Sequence, residues 1–193
     1  MKQVIVYGGS FNPFHNGHAA IVEHCLALPG YDEVWIMPSA KRTDKPDLVA
    51  DETRLEMLIA YKDSFTYVDH KLVITDFEMA LGAPSETIRT YEALRTAYPR
   101  INFTFVFGSD SVADIYNWRG GDVLAETLDT IVVDRIGEVH PLKNPRHIRA
   151  EIPEDVAGIS STLIRSKIRA GEPISSLVPR AIALFIPRHN LYS

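Results

Sequence analysis

Two histidines, His15 and His18, close the stretch Gly8-Gly9-Ser10-Phe11-Asn12-Pro13-Phe14-His15-Asn16-Gly17-His18. Only Asn16 and Gly17 separate them, and in a turn that spacing can aim both imidazoles at one anionic centre. The paired glycines let the backbone pass close to a ligand. A helix is expected to start at about Gly17, and its first turn offers unpaired N–H groups and a partial positive charge, both suited to phosphate. Gly17 leaves open a space that a side chain would fill. Neither G-x-G-x-x-G nor a phosphate loop ending in G-K-[ST] is present, so the dinucleotide fingerprint and the phosphate loop are poorer fits.

A second constellation lies far along the chain, at Ile159-Ser160-Ser161-Thr162-Leu163-Ile164-Arg165. Hydroxyl residues open a helix there, and Arg165 sits one turn into it. N-terminal amides, hydroxyls and a guanidinium would converge on one anion. In isolation the segment would be an ordinary helix cap. The chain carries a net charge of -5, against the basic face of a protein that binds bulk nucleic acid. Its basic residues concentrate at Lys41, Arg42 and Lys45 and at Arg165, Lys167 and Arg169. Taken alone these are two solvated loops; beside the motifs they suit a small anionic ligand better than a polymer.

These residues need elements to hold them. Val4–Tyr7 is a continuous apolar run stopped by Gly8-Gly9 and reads as a buried strand. The helix from about Gly17 would turn Ala20, Ile21, Cys25 and Leu28 to one face and stop at Pro29-Gly30. Val34–Met37 is a second buried strand, closed by Pro38. Asp51 would cap a helix carrying Leu55, Leu58 and Ile59 inward. A strand lies within Phe65–Asp76, and Ser85 would cap a helix presenting Ile88, Tyr91, Leu94 and Tyr98. Phe103–Phe107 is a strand stopped by Gly108. A short helix from about Asp122 precedes a strand at Thr130–Val133. Residues 137–158 are the least regular and are expected to run over the surface.

Alternating strands and helices predict an α/β fold, a Rossmann-like doubly wound parallel sheet with a small C-terminal helical extension. Ligands bind such sheets beyond the carboxyl ends of the strands. Gly8, Pro38 and Gly108 mark those ends, and the chemically suggestive residues follow each of them. Residues 1–193 are expected to form a single domain, with a phosphate-binding helical part at about 159–193. No apolar run reaches the roughly 18 residues of a membrane span. The opening residues are too short an apolar run, and wrongly flanked, for a secretion signal. Cys25 is the single cysteine, so no intrachain disulfide forms and a cytoplasmic home is the default. Tyr7, Phe14 and Cys25 read as packing residues.

The first motif resembles the signature of the H-x-G-H nucleotidyltransferase superfamily, most closely its nicotinate or nicotinamide mononucleotide adenylyltransferases. The resemblance runs from Val4 to Leu191-Tyr192. It implies that Gly8, Gly9, Ser10 and Phe11 border the nucleotide, and that Asn12, often Asp in the family, borders the substrate. The second motif is similar to the family's I-S-[ST]-T-x-x-R, which makes Ser161, Thr162 and Arg165 phosphate ligands. Gly108-Ser109-Asp110 resembles a G-x-D whose Asp accepts the ribose hydroxyls; on its own, Asp110 is equally a helix cap. Trp118 matches a tryptophan that lies against the pyridine ring, and Arg135 an arginine near the adenine, although Ile136 replaces the proline common after it. Lys45 stands in for a phosphate-binding lysine, where the nicotinate enzymes usually show a histidine and a lysine. Ser85-Glu86-Thr87-Ile88-Arg89-Thr90 departs from Ser-Tyr-Thr-x-x-Thr, and Glu86 and Thr87 would border the ring. A bare Glu86 carboxylate would repel a nicotinate and accept from a nicotinamide NH₂, which points toward tolerance of the amide.

The implied reaction is in-line attack of a phosphate oxygen on the α-phosphorus of ATP, with pyrophosphate leaving. His15 and His18 would donate to the α-phosphate; Arg165 and Thr162 would hold the β- and γ-phosphates. A helix N-terminus disfavours imidazolium at His18 and a bound triphosphate favours it. Mg²⁺ would accompany ATP mostly through water, with no protein metal ligands. The partners would be ATP and a small phosphorylated acceptor, with no nucleic acid and no membrane; a homo-oligomer is left open. Competing readings are a cytidylyltransferase or pantetheine-phosphate adenylyltransferase, a non-catalytic nucleotide sensor on the same fold, and a class I tRNA synthetase fragment.

Overall fold

The structure, a computed structural model, describes residues 1–40, 48–65, 71–134, 144–150 and 152–193. Six strands form one sheet: β1 (Lys2–Gly9), β2 (Glu33–Pro38), β3 (Leu72–Ile74), β4 (Ile101–Gly108), β5 (Asp129–Val133) and β6 (His147–Ala150). Their order is β3-β2-β1-β4-β5-β6 and every pairing is parallel. The chain therefore reverses its direction of winding between β1 and β4. That switch point opens a crevice at the carboxyl ends of the two strands, between Gly8-Gly9 and Gly108.

Alternate side chains of each strand go to opposite faces. Ile5 and Tyr7 of β1 and Val34 and Ile36 of β2 pack on one side with Met57, Leu58, Ile164 and Ile182. Val4, Val6, Trp35 and Met37 pack on the other with Tyr91, Leu94, Leu124 and Ala125. Both faces are covered, so the strands are apolar throughout rather than alternating. The first layer is built by α1 (Asn16–Ala27), α2 (Asp51–Lys62) and two later helices. The second is built by α4 (Thr87–Ala97) and α6 (Gly121–Thr127). Short helices α3 (Phe77–Leu81), α5 (Ser109–Ala113) and α7 (Glu154–Ala157) connect elements, as does a 3₁₀ turn at Ile115–Asn117. The chain ends with α8 (Ser161–Arg169) and α9 (Arg180–Arg188), and α9 packs on α2.

Four expectations are corrected. In α1 the buried positions are Gly17, Ala19, Val22 and Cys25, while Ile21 and Leu28 only edge the core. In α2, Asp51 is the first helical residue and Ala50 the cap, and the inward set is Arg54, Met57, Leu58 and Tyr61. Ile59 is exposed. The apolar pattern was equally compatible with a rotated face because an arginine occupies an inward position. The described residues within 137–158 do not simply run over the surface: β6 pairs with β5 and α7 follows it. Of β6 only Ala150 is buried, so the strand lacked an apolar run that would have announced it. Similarly, Glu86 rather than Ser85 caps α4. Tyr7, Phe14 and Cys25 are buried packing residues, as read. No described helix is long and apolar enough to cross a membrane.

Candidate active site

Beyond β1 the chain makes a compact turn that ends in α1, with His15 in the cap position. The His15 and His18 rings stack with centroids 3.6 Å apart. The backbone N–H of His15 donates to Nδ1 of His18 at 3.2 Å. An Nδ1 that accepts must carry its proton on Nε2 in the neutral ring, so His18 presents Nε2–H as a donor. Phe11 and Phe14 lie 5.1 and 5.3 Å from the His18 ring, which fixes its plane. Burial pushes His15 down to about 4. His18 falls well below the ordinary histidine range through burial and then through its charged-form repulsion with His15. Without ligand, both rings are neutral donors at pH 7. Gly17 is required where it stands: a Cβ there would come within 2.9 Å of the Val156 carbonyl in α7 and 3.1 Å of the His15 ring.

The second motif docks on this turn. Ser160 caps α8 by accepting from Leu163 N–H at 3.2 Å. Ser161 Oγ donates to the Pro13 carbonyl at 2.8 Å, and Arg165 Nη1 to the Asn12 carbonyl at 2.8 Å. Arg165 Nη2 reaches Thr162 Oγ1 at 3.4 Å. The turn is held from two further directions. Asn16 N–H and Nδ2 donate to the carbonyls of Leu177 and Ser176. Asn12 Oδ1 accepts from Tyr192 Oη at 2.9 Å and from Val49 N–H at 3.3 Å.

Arg54 links the ends of β1 and β2. Its side chain is fully buried and donates to the Ser10 carbonyl at 3.0 Å, the Ser39 carbonyl at 2.7 Å and Asp51 Oδ1 at 2.6 Å. Three acceptors, one of them ionised, satisfy most of a charge that burial would otherwise penalise. Sequence reasoning missed this residue. The signal was an arginine at the first place of an i, i+3, i+4, i+7 face, with Met57, Leu58 and Tyr61.

Alongside lies a cavity of about 500 Å³, lined by Gly8, Gly9 and Ser10 at the end of β1 and by Glu86, Thr87, Trp118 and Arg119 opposite, among others. Phe107 of β4 meets Trp118 edge to face at 5.4 Å. Arg89 holds the lip in place by donating to the carbonyls of Leu81, Gly82 and Pro84. Glu78 receives a short hydrogen bond from Ser85 Oγ. The Glu86 carboxylate is not bare: Arg119 Nη1 lies 3.1 Å from Oε2 and 3.4 Å from Oε1. The neighbouring guanidinium offsets the charge on which amide tolerance was argued.

The structure thus groups the expected residues in two sets. His15, His18 and Asn12 lie in the turn itself, and Ser161 and Arg165, the latter also touching Thr162, are docked on its backbone at Pro13 and Asn12. Gly8, Gly9, Ser10, Glu86, Thr87 and Trp118 line the cavity. Asp110 lies at the start of α5 beyond β4 and is exposed. A Cβ on Gly108 would fall 2.7 Å from its carboxylate, so that glycine lets Asp110 fold back over the strand end. Phe11 is only 2% exposed and serves packing. Lys45 and Arg135 lie outside the described residues.

A parallel sheet with its histidine turn at the switch point and a hydroxyl-arginine helix docked on it defines a nucleotidyltransferase. The cytidylyltransferase-like family model matches residues 6–167, and the chain belongs to that family. A probable nicotinate-nucleotide adenylyltransferase of Flavobacterium johnsoniae is 32% identical over 192 residues, covering 97% of each chain. Another, of Bacillus pumilus, is 31% identical and covers 100% of this chain and 99% of its own. Nicotinic acid mononucleotide adenylyltransferase of Plasmodium falciparum, solved with NaAD, shares the fold with a TM-score of 0.89 at 24% identity. That superposition covers 100% of this chain and 98% of the other.

Proposed function

We propose that this enzyme transfers AMP from ATP to a pyridine mononucleotide, nicotinate mononucleotide first among them, and releases pyrophosphate in NAD biosynthesis. The acceptor's phosphate oxygen attacks the α-phosphorus. The bond from that phosphorus to the oxygen bridging to the β-phosphate breaks, and its electron pair leaves with pyrophosphate. The attacking phosphate is already an anion, so no strong base is needed. Positioning and charge stabilisation carry the rate.

The observation that supports this most is the docking of the second motif on the first. Ser161 and Arg165 bind the backbone of the turn itself, so one anion can meet α8 and the histidines together. His15 and His18 donate to the α-phosphate oxygens, with Nε2–H the donor of His18. Thr162, Ser161 and the remaining guanidinium donors of Arg165 hold the β- and γ-phosphates. The backbone of Gly8–Phe11 lines the nucleotide path, and Asp110 accepts from the ribose hydroxyls. The acceptor ring lies against Trp118 with Glu86 and Thr87 at its edge. Asn12, through the contacts of its Oδ1, positions the turn on the substrate side.

Among the described residues no group of three or more His, Cys, Asp or Glu side chains is placed to hold a metal. The phosphate end offers hydroxyls and N–H groups, which fit a Mg²⁺ carried by the triphosphate and water. That ion would neutralise charge on the departing pyrophosphate. The reading places the reaction in the cytoplasm and the whole of residues 1–193 in one catalytic domain.

Pyrophosphate release, measured over nicotinate and nicotinamide mononucleotides, phosphopantetheine and phosphocholine with ATP and CTP, tests this. Turnover is expected with ATP and a pyridine mononucleotide. Turnover confined to another pair would replace the acceptor assignment, and nucleotide binding without any turnover would make the chain a sensor.

A further inference from the structure

We propose that Arg119 is the residue that reads the acid group of the acceptor, and that Glu86 holds its guanidinium ready in the empty site. The inference rests on the pyridine mononucleotide reading above. Three charged side chains line the cavity among the described residues: Glu78, Glu86 and Arg119. Glu78 is engaged by Ser85. Two carboxylates facing one guanidinium leave the cavity walls negative. A ring carboxylate entering such a space gains most from a cation that offsets its charge, and Arg119 is the one cation among those described lining residues.

Its placement suits the task. Arg119 follows Trp118 directly, so a planar ring lying on the indole brings its substituent toward the same short stretch. The ion pair with Glu86 uses Nη1 alone, whereas a guanidinium has five N–H donors in a planar fork. The Arg119 side chain is 76% exposed and that of Glu86 26%. An exposed pair of this kind is weakly held. The guanidinium can therefore turn its remaining donors to an incoming carboxylate without abandoning Glu86, bridging the two. A carboxamide gains little from the same movement, because it brings no charge to offset.

Glu86 has two opposing effects. It keeps the exposed Arg119 guanidinium at the cavity mouth, and it repels the substrate carboxylate. Its neutral variant separates them, since glutamine can still accept from the guanidinium.

The test is kcat/KM for nicotinate and nicotinamide mononucleotides in the parent, Arg119→Gln, Arg119→Lys and Glu86→Gln, with the KM for ATP as control. Arg119→Gln is expected to lower the value for the acid at least tenfold and to leave the amide within threefold. Arg119→Lys should fall between, keeping charge but losing the fork. Glu86→Gln should raise the acid-to-amide ratio severalfold. An acid-to-amide ratio that Arg119→Gln moves by less than twofold overturns the inference, whether both substrates fall together or neither changes. In that case a parent active on either mononucleotide leaves the acceptor reading standing. A parent that turns over neither removes that reading, and the role of Arg119 with it.

Discussion

The two ends of the proposed site, one for phosphates and one for the acceptor, are built on different principles. At the phosphate end, arginines are spent on the protein's own backbone: Arg54 on the carbonyls of Ser10 and Ser39, Arg165 on that of Asn12. The histidines are stacked, and a backbone donor fixes the tautomer of His18. At the acceptor end, the charged pair at the mouth is exposed, and its contact is side chain to side chain. Transition-state stabilisation needs donors that do not reorganise during reaction. Discrimination between acceptors needs only a difference in contact with one substituent. The first demands a rigid frame and the second is met by a movable side chain.

The largest expected effect contrasts two arginines. Arg54→Ala should destabilise the fold by about 3–5 kcal/mol, because it empties a fully buried side-chain site and strands the carbonyls of Ser10 and Ser39 and the half-buried Asp51 carboxylate. Arg119→Ala should stay within about 0.5 kcal/mol, as for surface substitutions generally. Urea unfolding of both variants checks this, and similar losses would erase the distinction between the two ends. Next, His18→Ala should lower kcat by about 10²–10³ with the fold retained, as expected for loss of a transition-state donor. Single-turnover kinetics would measure it, and a loss below about threefold would remove the histidine from the chemistry.

Acid should weaken the phosphate end specifically. His15 has a folded pKa of about 4, below the roughly 6.5 of an unfolded histidine. The unfolded chain therefore binds the proton first as pH falls. Stability present above about pH 6.5 is lost as pH falls toward 4, with His15 contributing on the order of 2 kcal/mol by pH 5. Thermal melts from pH 7 to pH 5 should show a shallower decline in His15→Asn. An equal slope in that variant would mean the ring is hydrated in solution. At the other end, Trp118→Ala should raise the acceptor KM by the roughly 1–3 kcal/mol of a ring stack and spare that of ATP. The smallest effect belongs to the outer brace. Tyr192→Phe removes one hydrogen bond to Asn12, worth about 0.5–1.5 kcal/mol. That loss should appear in the unfolding free energy without disturbing the acceptor preference.

The contrast also decides what could be read from the sequence. Strands β1, β2, β4 and β5 are continuous apolar runs ending at glycine, proline or a polar turn, and the parallel sheet followed from them. The histidine turn and the Ser160–Arg165 segment were legible because their chemistry is packed into consecutive residues. Arg54, Arg89 and Tyr192 were not, since each acts on carbonyls or an amide whose identity the side chain does not disclose. Glu86 was read as a bare carboxylate because Arg119, which lies 33 positions away, is brought beside it only by the fold. The inward face of α2 was misjudged for a related reason: hydrophobic periodicity places an arginine outside, and only its acceptors explain why it is buried. β6, with one buried residue, gave no periodic signal to find.

The braces on the histidine turn have a consequence for the order of folding. Its contacts to Ser161, Arg165, Ser176 and Tyr192 span 148, 153, 160 and 180 positions of chain. Closing loops of that length is entropically slow compared with pairing neighbouring elements. A nascent chain can therefore lay down β1, α1 and β2, and present both histidines to solvent, long before anything holds them in register. The histidine turn is synthesised well before its braces and is completed only after them. A folding intermediate with a full sheet but an undocked α8 and α9 would look native by its secondary structure and still be silent toward ATP.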